Sequence, residues 1–337
     1  MRAIEFDLEG TASVVDIPYP SPGPEDVVVQ VLSTGSCGSD LSALRGTHPF
    51  RFPPLISGHE VGGVVTEVGE QVDDTVVGQR VVVEPQRFCR TCEYCTTGRH
   101  NLCPKKQMLG IAEWDGSFAE YVRVPAYTVL PVSGRIPDYA LALVEPLAVA
   151  AHAVRQVRAT PEHGRQPSHL VMGGGTIGAL VTAVLQHVSP GRVTVSEPRG
   201  QNSDMLKAMG ASDVLQPDAV SDRGELFDTV FVAAGHAPLV AEAVRRCAPG
   251  GTVVQVAVFN TEVPVPVGEL QVQEIAFVGT AMYTREDFDV AAELLAERPD
   301  IAELMVTDRM DLAEGAEAIT RMASHGPGTT IKLIMEP

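Results

Sequence analysis

Apolar and polar positions along this 337-residue chain keep one rhythm up to about residue 140 and another beyond it. In the first part, short apolar runs at 12–17, 26–32, 64–68 and 80–83 alternate with turns rich in glycine or proline. Runs of that kind predict a β-rich region. The stretch Pro18-Tyr19-Pro20-Ser21-Pro22-Gly23-Pro24 cannot donate fully to a ladder and reads as a connection between strands. From 140 to 157 the chain is rich in Ala, Leu and Val and predicts a helix. Beyond it, apolar runs at 169–172, 193–196, 213–215, 229–232, 253–256 and 275–278 have helical stretches between most of them, the pattern of a doubly wound parallel sheet in an α/β domain. Helices are expected again at 288–298 and 313–324, and a last strand at 330–334.

A chain of this length accommodates two domains at roughly 100 to 200 residues each. The change of rhythm places one over 1–146 with 282–337 returning to it, and the other over 147–281. Apolar residues make up 45% of the chain, yet none of the runs approaches the roughly 20 residues of a membrane-spanning helix. The start, Met1-Arg2-Ala3-Ile4-Glu5-Phe6-Asp7, shows neither a basic segment leading into an apolar one nor a cleavage site, so a cytoplasmic location is expected. A net charge of −18 with no basic patch argues against nucleic acid and anionic membranes as partners.

Directly after the run at 169–172 comes Gly173-Gly174-Gly175-Thr176-Ile177-Gly178, a G-x-G-x-x-G opening an apolar helix. Glycines there allow a tight turn and close approach of backbone to a pyrophosphate, while the helix start offers free N–H groups. Glu197 ends the next strand about 20 residues on, where a carboxylate can bond a ribose 2′-hydroxyl. Gly173, Gly175, Thr176, Ile177, Gly178 and Glu197 are therefore candidate dinucleotide residues, and the acid favours NAD over NADP. Arg199, two residues on, tempers that preference. Gly235 and Val256, after the fourth and fifth strands, are expected to line the same crevice.

Four of the six cysteines crowd into Cys89-x2-Cys92-x2-Cys95-x7-Cys103. Four thiolates in one short polar loop close a tetrahedral shell with no position left for water, which points to a structural zinc. A second constellation is dispersed: Cys37 in Cys-Gly-Ser-Asp, His59 and Glu60 in Gly-His-Glu, and Glu145 in Val-Glu-Pro-Leu. Taken singly, each has an ordinary explanation, since a buried cysteine acts as a small hydrophobe and a lone His is more often a satisfied core residue than a ligand.

Their order along the chain, with the four-cysteine lobe, Asp115-Gly116-Ser117-Phe118-Ala119-Glu120-Tyr121 and the glycine turn, resembles the zinc-containing medium-chain dehydrogenase/reductase family over nearly the whole length. Glu145, where the alcohol dehydrogenases proper carry a cysteine, is similar to the sorbitol, threonine and related polyol dehydrogenase branch. The resemblance implies a Rossmann domain plus a β-rich GroES-like catalytic domain bearing a zinc lobe at 86–106. It implies Cys37 and His59 as catalytic zinc ligands, with Glu60 or Glu145 in third place directly or through water, and hence two zinc ions per chain. It further implies hydride exchange between NAD and a secondary alcohol of a polyol, sugar or cyclitol, Ser39 as first acceptor of the substrate proton, and a homodimer or homotetramer. The run Cys-Gly-Ser-Asp-Leu-Ser is similar to that of aminocyclitol-forming dehydrogenases. Amino-alcohol oxidation of the threonine type, and a non-catalytic NAD-binding protein on the same fold, are the alternatives.

The chain departs from the family at Ser42, where many members have a relay histidine. A serine cannot hold a proton near neutral pH. The relay is then expected through the cofactor ribose and water, or through another histidine such as His48. Trp114, Phe50 and Met282 read as packing before pocket, His152, His163, His169 and His187 show no ligand spacing, and Cys247 reads as a core or helix-end thiol.

Overall fold

The computed structural model describes residues 1–111, 113–157 and 165–337. His163 lies outside the described residues. The chain divides into two compact units, Met1–Glu145 with Leu295–Pro337, and Pro146–Leu294. The return to the first unit therefore falls at Leu295, inside the helix Arg285–Glu297, where the change of rhythm pointed to 282.

The first unit is β-rich. Its largest sheet runs in the order Val129–Pro131, Arg80–Val83, Glu60–Val68, Asp26–Gly35, Lys332–Met335, Val306–Met310, and Tyr121–Pro125 also pairs with Asp26–Gly35. Alternating valines explain the long strand at its centre: Val27, Val29 and Val31 join Val61, Val65, Val81, Val83, Leu109 and Trp114 in one core. A second core lies under the helix Leu312–His325, where Leu312, Ala316, Ile319 and Met322 meet Ile4, Phe6, Leu41 and Phe118. That helix is started by a capping box in which Asp311 accepts from the amide of Glu314 at 2.9 Å. Arg2–Phe6, Ala12–Asp16 and Leu55–Ile56 form a small antiparallel sheet. The proline-rich segment 18–24 carries no strand.

The second unit holds six parallel strands in the order Asp213–Leu215, Arg192–Ser196, Ser168–Met172, Phe227–Val232, Cys247–Gln255, Ala276–Gly279. The order reverses direction between the third and fourth, which makes the carboxyl end of Ser168–Met172 a topological switch point. All six runs read from the sequence are strands, four of them longer than the runs and most of all Phe227–Val232 and Cys247–Gln255. Near-continuous apolar strands suit a sheet covered on both faces; Val230, Val232, Val253 and Leu170 pack on Val240, Ala243 and Val244 of the helix Pro238–Arg246. Cys247 opens its strand fully buried, and burial pushes its thiol up to about 12. The helix expected over 140–157 is in two pieces, a 3-10 turn Asp138–Leu143 and an α-helix Val144–Arg155. Among the described residues no helix is long and apolar enough to cross a membrane.

Candidate metal and dinucleotide sites

The chain leaves the strand Asp26–Gly35 and turns at Ser36 and Cys37 into the helix Gly38–Leu44. Cys37 is its N-cap, and its amide donates to Asp40 Oδ2 at 2.8 Å. His59 and Glu60 arrive at the start of the partner strand Glu60–Val68, whose first residue is in register with Gly35. The ligand atoms of Cys37, His59 and Glu60 come to lie within 4.8 Å of one another. A side chain at Gly35 would end 2.0 Å from Glu60 Oε2, so glycine there leaves the room the carboxylate occupies.

Around these three the site is charged and almost dry. Asp40 is wholly buried; its Oδ1 accepts from Arg51 NH1 and from Ser57 Oγ, each at 2.7 Å, and lies 3.6 Å from His59 Nδ1. Burial works against the Asp40 carboxylate, but His59, Arg51 and Ser57 together hold it well below the usual carboxylate range. Lys332 is equally buried, ion-paired with Glu60 Oε2, and donates to the carbonyl of Ser36 at 3.0 Å. Burial disfavours its ammonium, yet the charges of Glu60, Cys37 and Glu145 raise its pKa. Glu145, 6% exposed in the first turn of its helix, is not among the three converging ligand atoms. Asp40 faces His59 Nδ1 from 3.6 Å, the side from which a carboxylate orients a metal-ligating histidine. With Nδ1 of His59 turned to Asp40 and Arg51, Nε2 is the nitrogen left for a metal. Thiolate, imidazole and carboxylate are the donor set of an open zinc site.

The second set is compact. Sγ atoms of Cys92 and Cys95 are 3.5 Å apart, Cys89 and Cys103 3.6 Å, Cys89 and Cys95 3.9 Å. Zinc–sulfur bonds of about 2.3 Å in a tetrahedron give sulfur–sulfur edges of roughly 3.8 Å, so the four thiols fit one zinc. The amides of Thr91 and Cys92 point at Cys89 and lower its pKa, whereas burial raises that of Cys95. Behind the lobe, Phe88 stacks on His100 with centroids 4.3 Å apart, and His100 Nε2 bonds the buried Glu84.

In the second unit Gly175 caps the helix Thr176–Val188 at the switch point. Gly173 has φ of 105°, and a side chain at Gly178 would end 1.8 Å from the carbonyl of Gly173, so the turn admits nothing larger at either place. The amides of Thr176, Ile177 and Gly178 begin the helix, as a diphosphate requires. Glu197 Oε2 accepts from Gly174 N at 2.6 Å, while Oε1 accepts from Arg199 N and Nε, both at 2.9 Å. Val232, at the end of the fourth strand, takes the amides of Val256 and Ala257 on its carbonyl. Gly235 follows that strand, and a Cβ there would touch the carbonyl of Val258 at 3.7 Å, an ordinary contact.

The remaining candidates separate cleanly. Trp114 is buried, with its indole N–H on the carbonyl of Arg123 at 3.0 Å and the Arg87 guanidinium over its ring, so it packs. Phe50 does not: it is 70% exposed, which corrects the packing reading for that residue. Met282 is half-buried in a left-handed backbone conformation, φ 57°. His152 bonds Asp287 at 2.8 Å, and His169 is buried in the sheet with its pKa lowered to about 4 by burial. Ser42 Oγ bonds back to the carbonyl of Gly38 at 3.0 Å. The carbonyl of Ser42 accepts the amide of His48 at 3.1 Å, which folds His48 back toward the end of that helix. Asp40, Arg51, Ser57 and Lys332 were missed by sequence reasoning. Asp40 alone carried a signal, as the last residue of Cys37-Gly38-Ser39-Asp40.

A six-stranded parallel sheet with a glycine turn at its switch point, together with a β-rich unit carrying two clusters able to hold a metal ion, is the framework of a zinc-type nicotinamide dehydrogenase. Comparison with known proteins agrees. Residues 23–134 match the alcohol dehydrogenase GroES-like domain and residues 138–336 the glucose dehydrogenase C-terminus. The chain is 33% identical over 310 residues to L-galactonate-5-dehydrogenase of Escherichia coli K12, covering 90% of this chain and 89% of the relative. Among solved structures, a zinc-binding dehydrogenase of Sinorhizobium meliloti 1021 bound to NADP is 29% identical with a TM-score of 0.90, covering 100% of this chain and 99% of that one. An alcohol dehydrogenase of Escherichia coli CFT073 complexed with NADH is 26% identical with a TM-score of 0.91, again covering 100% and 99%. The chain belongs to the zinc-containing medium-chain dehydrogenase/reductase family, in its polyol dehydrogenase branch. It is an oxidoreductase whose cofactor is NAD or NADP.

Proposed function

We propose that this chain moves a hydride between NAD and a secondary carbinol of a polyol, sugar or cyclitol, with Cys37, His59 and an acid holding the catalytic zinc and the four-cysteine lobe holding a second. The observation that carries this reading is the convergence of Cys37, His59 and Glu60 within 4.8 Å, drawn from a helix start and the beginning of one strand. When bound there, zinc supplies the positive charge that stabilises an alkoxide. The chain's own residues do the rest. Asp40 orients His59, Lys332 balances the charge of Glu60, and Ser39, in the first turn of the helix after Cys37, takes the substrate proton. Glu60 has the geometry of the third ligand, and Glu145 is the acid that can replace it or act through water.

Support for NAD comes from Glu197 and Arg199. The carboxylate is fixed by Gly174 and by Arg199, and this pairing occupies the cation that would otherwise attract a 2′-phosphate. Because Ser42 is tied to its own helix, His48 is the side chain we assign to carry the proton outward from Ser39. A polyhydroxylated substrate is supported by the likeness to L-galactonate-5-dehydrogenase. The open edge strand Ala276–Gly279 and the exposed Val258, Val267 and Val272 support self-association as a homodimer or larger assembly, and free cysteines in a metal-binding spacing suit the reducing cytoplasm.

The test is a screen of polyols, sugars, cyclitols and amino alcohols followed by NADH absorbance, run with NAD and with NADP, beside a zinc count. Turnover of a polyhydroxylated substrate with NAD and two zinc ions per chain is expected. Turnover of amino alcohols alone, or one zinc per chain in active protein, would overturn the substrate or the metal assignment respectively.

A further inference from the structure

Arg51 is a cation buried to 3% exposure in the loop that leads to His59. Its NH1 donates to Asp40 Oδ1 at 2.7 Å and its NH2 lies 3.0 Å from His59 Nδ1. Asp40 Oδ1 itself is farther from that nitrogen, at 3.6 Å, and also receives Ser57 Oγ at 2.7 Å. The other oxygen of Asp40 is taken by the amide of Cys37. An imidazole that gives Nε2 to a metal carries its proton on Nδ1, and that N–H needs an acceptor. Asp40 is the acceptor at hand, and Arg51 both crowds it and presents a second donor to the same Nδ1. The guanidinium also opposes any further positive charge at the ring, in surroundings too dry to screen it.

We propose that Arg51 is a positioning residue that loosens the hold of the Cys37–His59–Glu60 site on its metal, by competing with His59 for Asp40 and by opposing positive charge at the imidazole. The proposal rests on the catalytic-zinc reading given above. It predicts a change opposite to that of simple damage: a variant that merely loosens the fold releases zinc faster, whereas loss of Arg51 slows release from this site.

Zinc-loaded full-length protein is mixed with an excess of the chromophoric chelator 4-(2-pyridylazo)resorcinol, and release is followed for wild type, Arg51→Met and Arg51→Lys. Wild type is expected to release zinc in two phases, the faster from the Cys37 site and the slower from the four-thiolate lobe. Arg51→Met slows the fast phase about tenfold, on the scale by which outer partners tune metal sites, and leaves the slow phase unchanged. Arg51→Lys keeps the charge beside Asp40 but cannot span both partners, so it slows the fast phase by less. That variant decides the matter should Arg51→Met fail to fold. A fast phase unchanged or quicker in the folded variant overturns the proposal. A wild type that releases a single zinc overturns the two-metal reading itself, and the Arg51 assignment with it.

Discussion

The two metal-binding sets differ in what holds them together. Across residues 88–99, the stretch carrying Cys89, Cys92 and Cys95, no residue is buried; the short helix Glu93–Thr96 has no core face at all. Cys37, His59 and Glu60 instead sit among Asp40, Arg51, Ser57 and Lys332, every one of these four less than 4% exposed. A loop without a core depends on its metal for shape, whereas a site built of buried strands and charges keeps its shape from the fold. On the proposed function, the closed set serves the structure of its lobe and the open set serves the chemistry.

The largest effect expected separates these roles directly. Cys37→Ser removes the thiolate of the open set and should lower turnover roughly a thousandfold or more, since the Lewis-acid contribution of a metal is worth several kcal/mol and each 1.36 is tenfold. Thermal unfolding of the variant should stay within a few degrees of wild type. A Cys37→Ser protein that retains turnover would remove the open set from the chemistry altogether. Cys95→Ser should do the reverse: the four-thiolate shell opens, the stretch 86–106 loses its fixed form and becomes protease-sensitive, and stability falls by several kcal/mol. Limited proteolysis followed by mapping of the cuts checks this, and cuts that appear equally in both variants would erase the distinction.

A subtler variant probes how far the fold pre-forms the open set. Asp40→Asn leaves the size of the buried side chain unchanged but removes the charge that faces His59 and Arg51. Zinc affinity at the open site should fall roughly ten- to a hundredfold, the usual cost of losing an outer-shell carboxylate. Competition with a chelator of known affinity measures it. An unchanged affinity would mean that His59 needs no carboxylate to be aimed.

The same contrast explains what could be read along the chain. The four-cysteine spacing is local, because ligands within 14 residues of one another can be recognised as a set without knowing the fold. The six strands of the second unit were legible too, as apolar runs between helices, and so was the glycine turn with Glu197 behind it. Lys332 was not, since it reaches Glu60 from the far end of the chain through a strand pairing with Asp26–Gly35 that no periodicity reveals. Arg51 was hidden for another reason: it lies between two exposed phenylalanines, Phe50 and Phe52, in a loop whose composition suggests solvent. Only the folded loop turns its guanidinium inward onto Asp40. The helix boundary at 140–157 blurred because Asp138–Leu143 is as apolar as the α-helix that follows.

The smallest effect concerns the way the proton leaves the open set. His48 is half-buried, its Nδ1 accepts the amide of Phe50 at 3.1 Å, and its own amide bonds the carbonyl of Ser42. With Nδ1 engaged as an acceptor, the neutral ring carries its proton on Nε2, the arrangement of a group that can receive a proton only by giving up that bond. Burial, then the nearby Arg51 cation, lowers its pKa, so the ring is neutral near neutral pH and takes up a proton when the Phe50 amide lets go of Nδ1. His48→Asn should therefore lower turnover by about tenfold, below the usual 10²–10⁴ range of a direct general base because solvent can replace a distal relay. Zinc content and the affinity for NAD should not move. Small imidazoles added to the variant should restore part of the lost rate, and more of it with the more basic ones. A variant as fast as wild type, or one that imidazole cannot rescue, would send the proton instead through the cofactor ribose and water, and would leave Ser39 as the last protein group on the path.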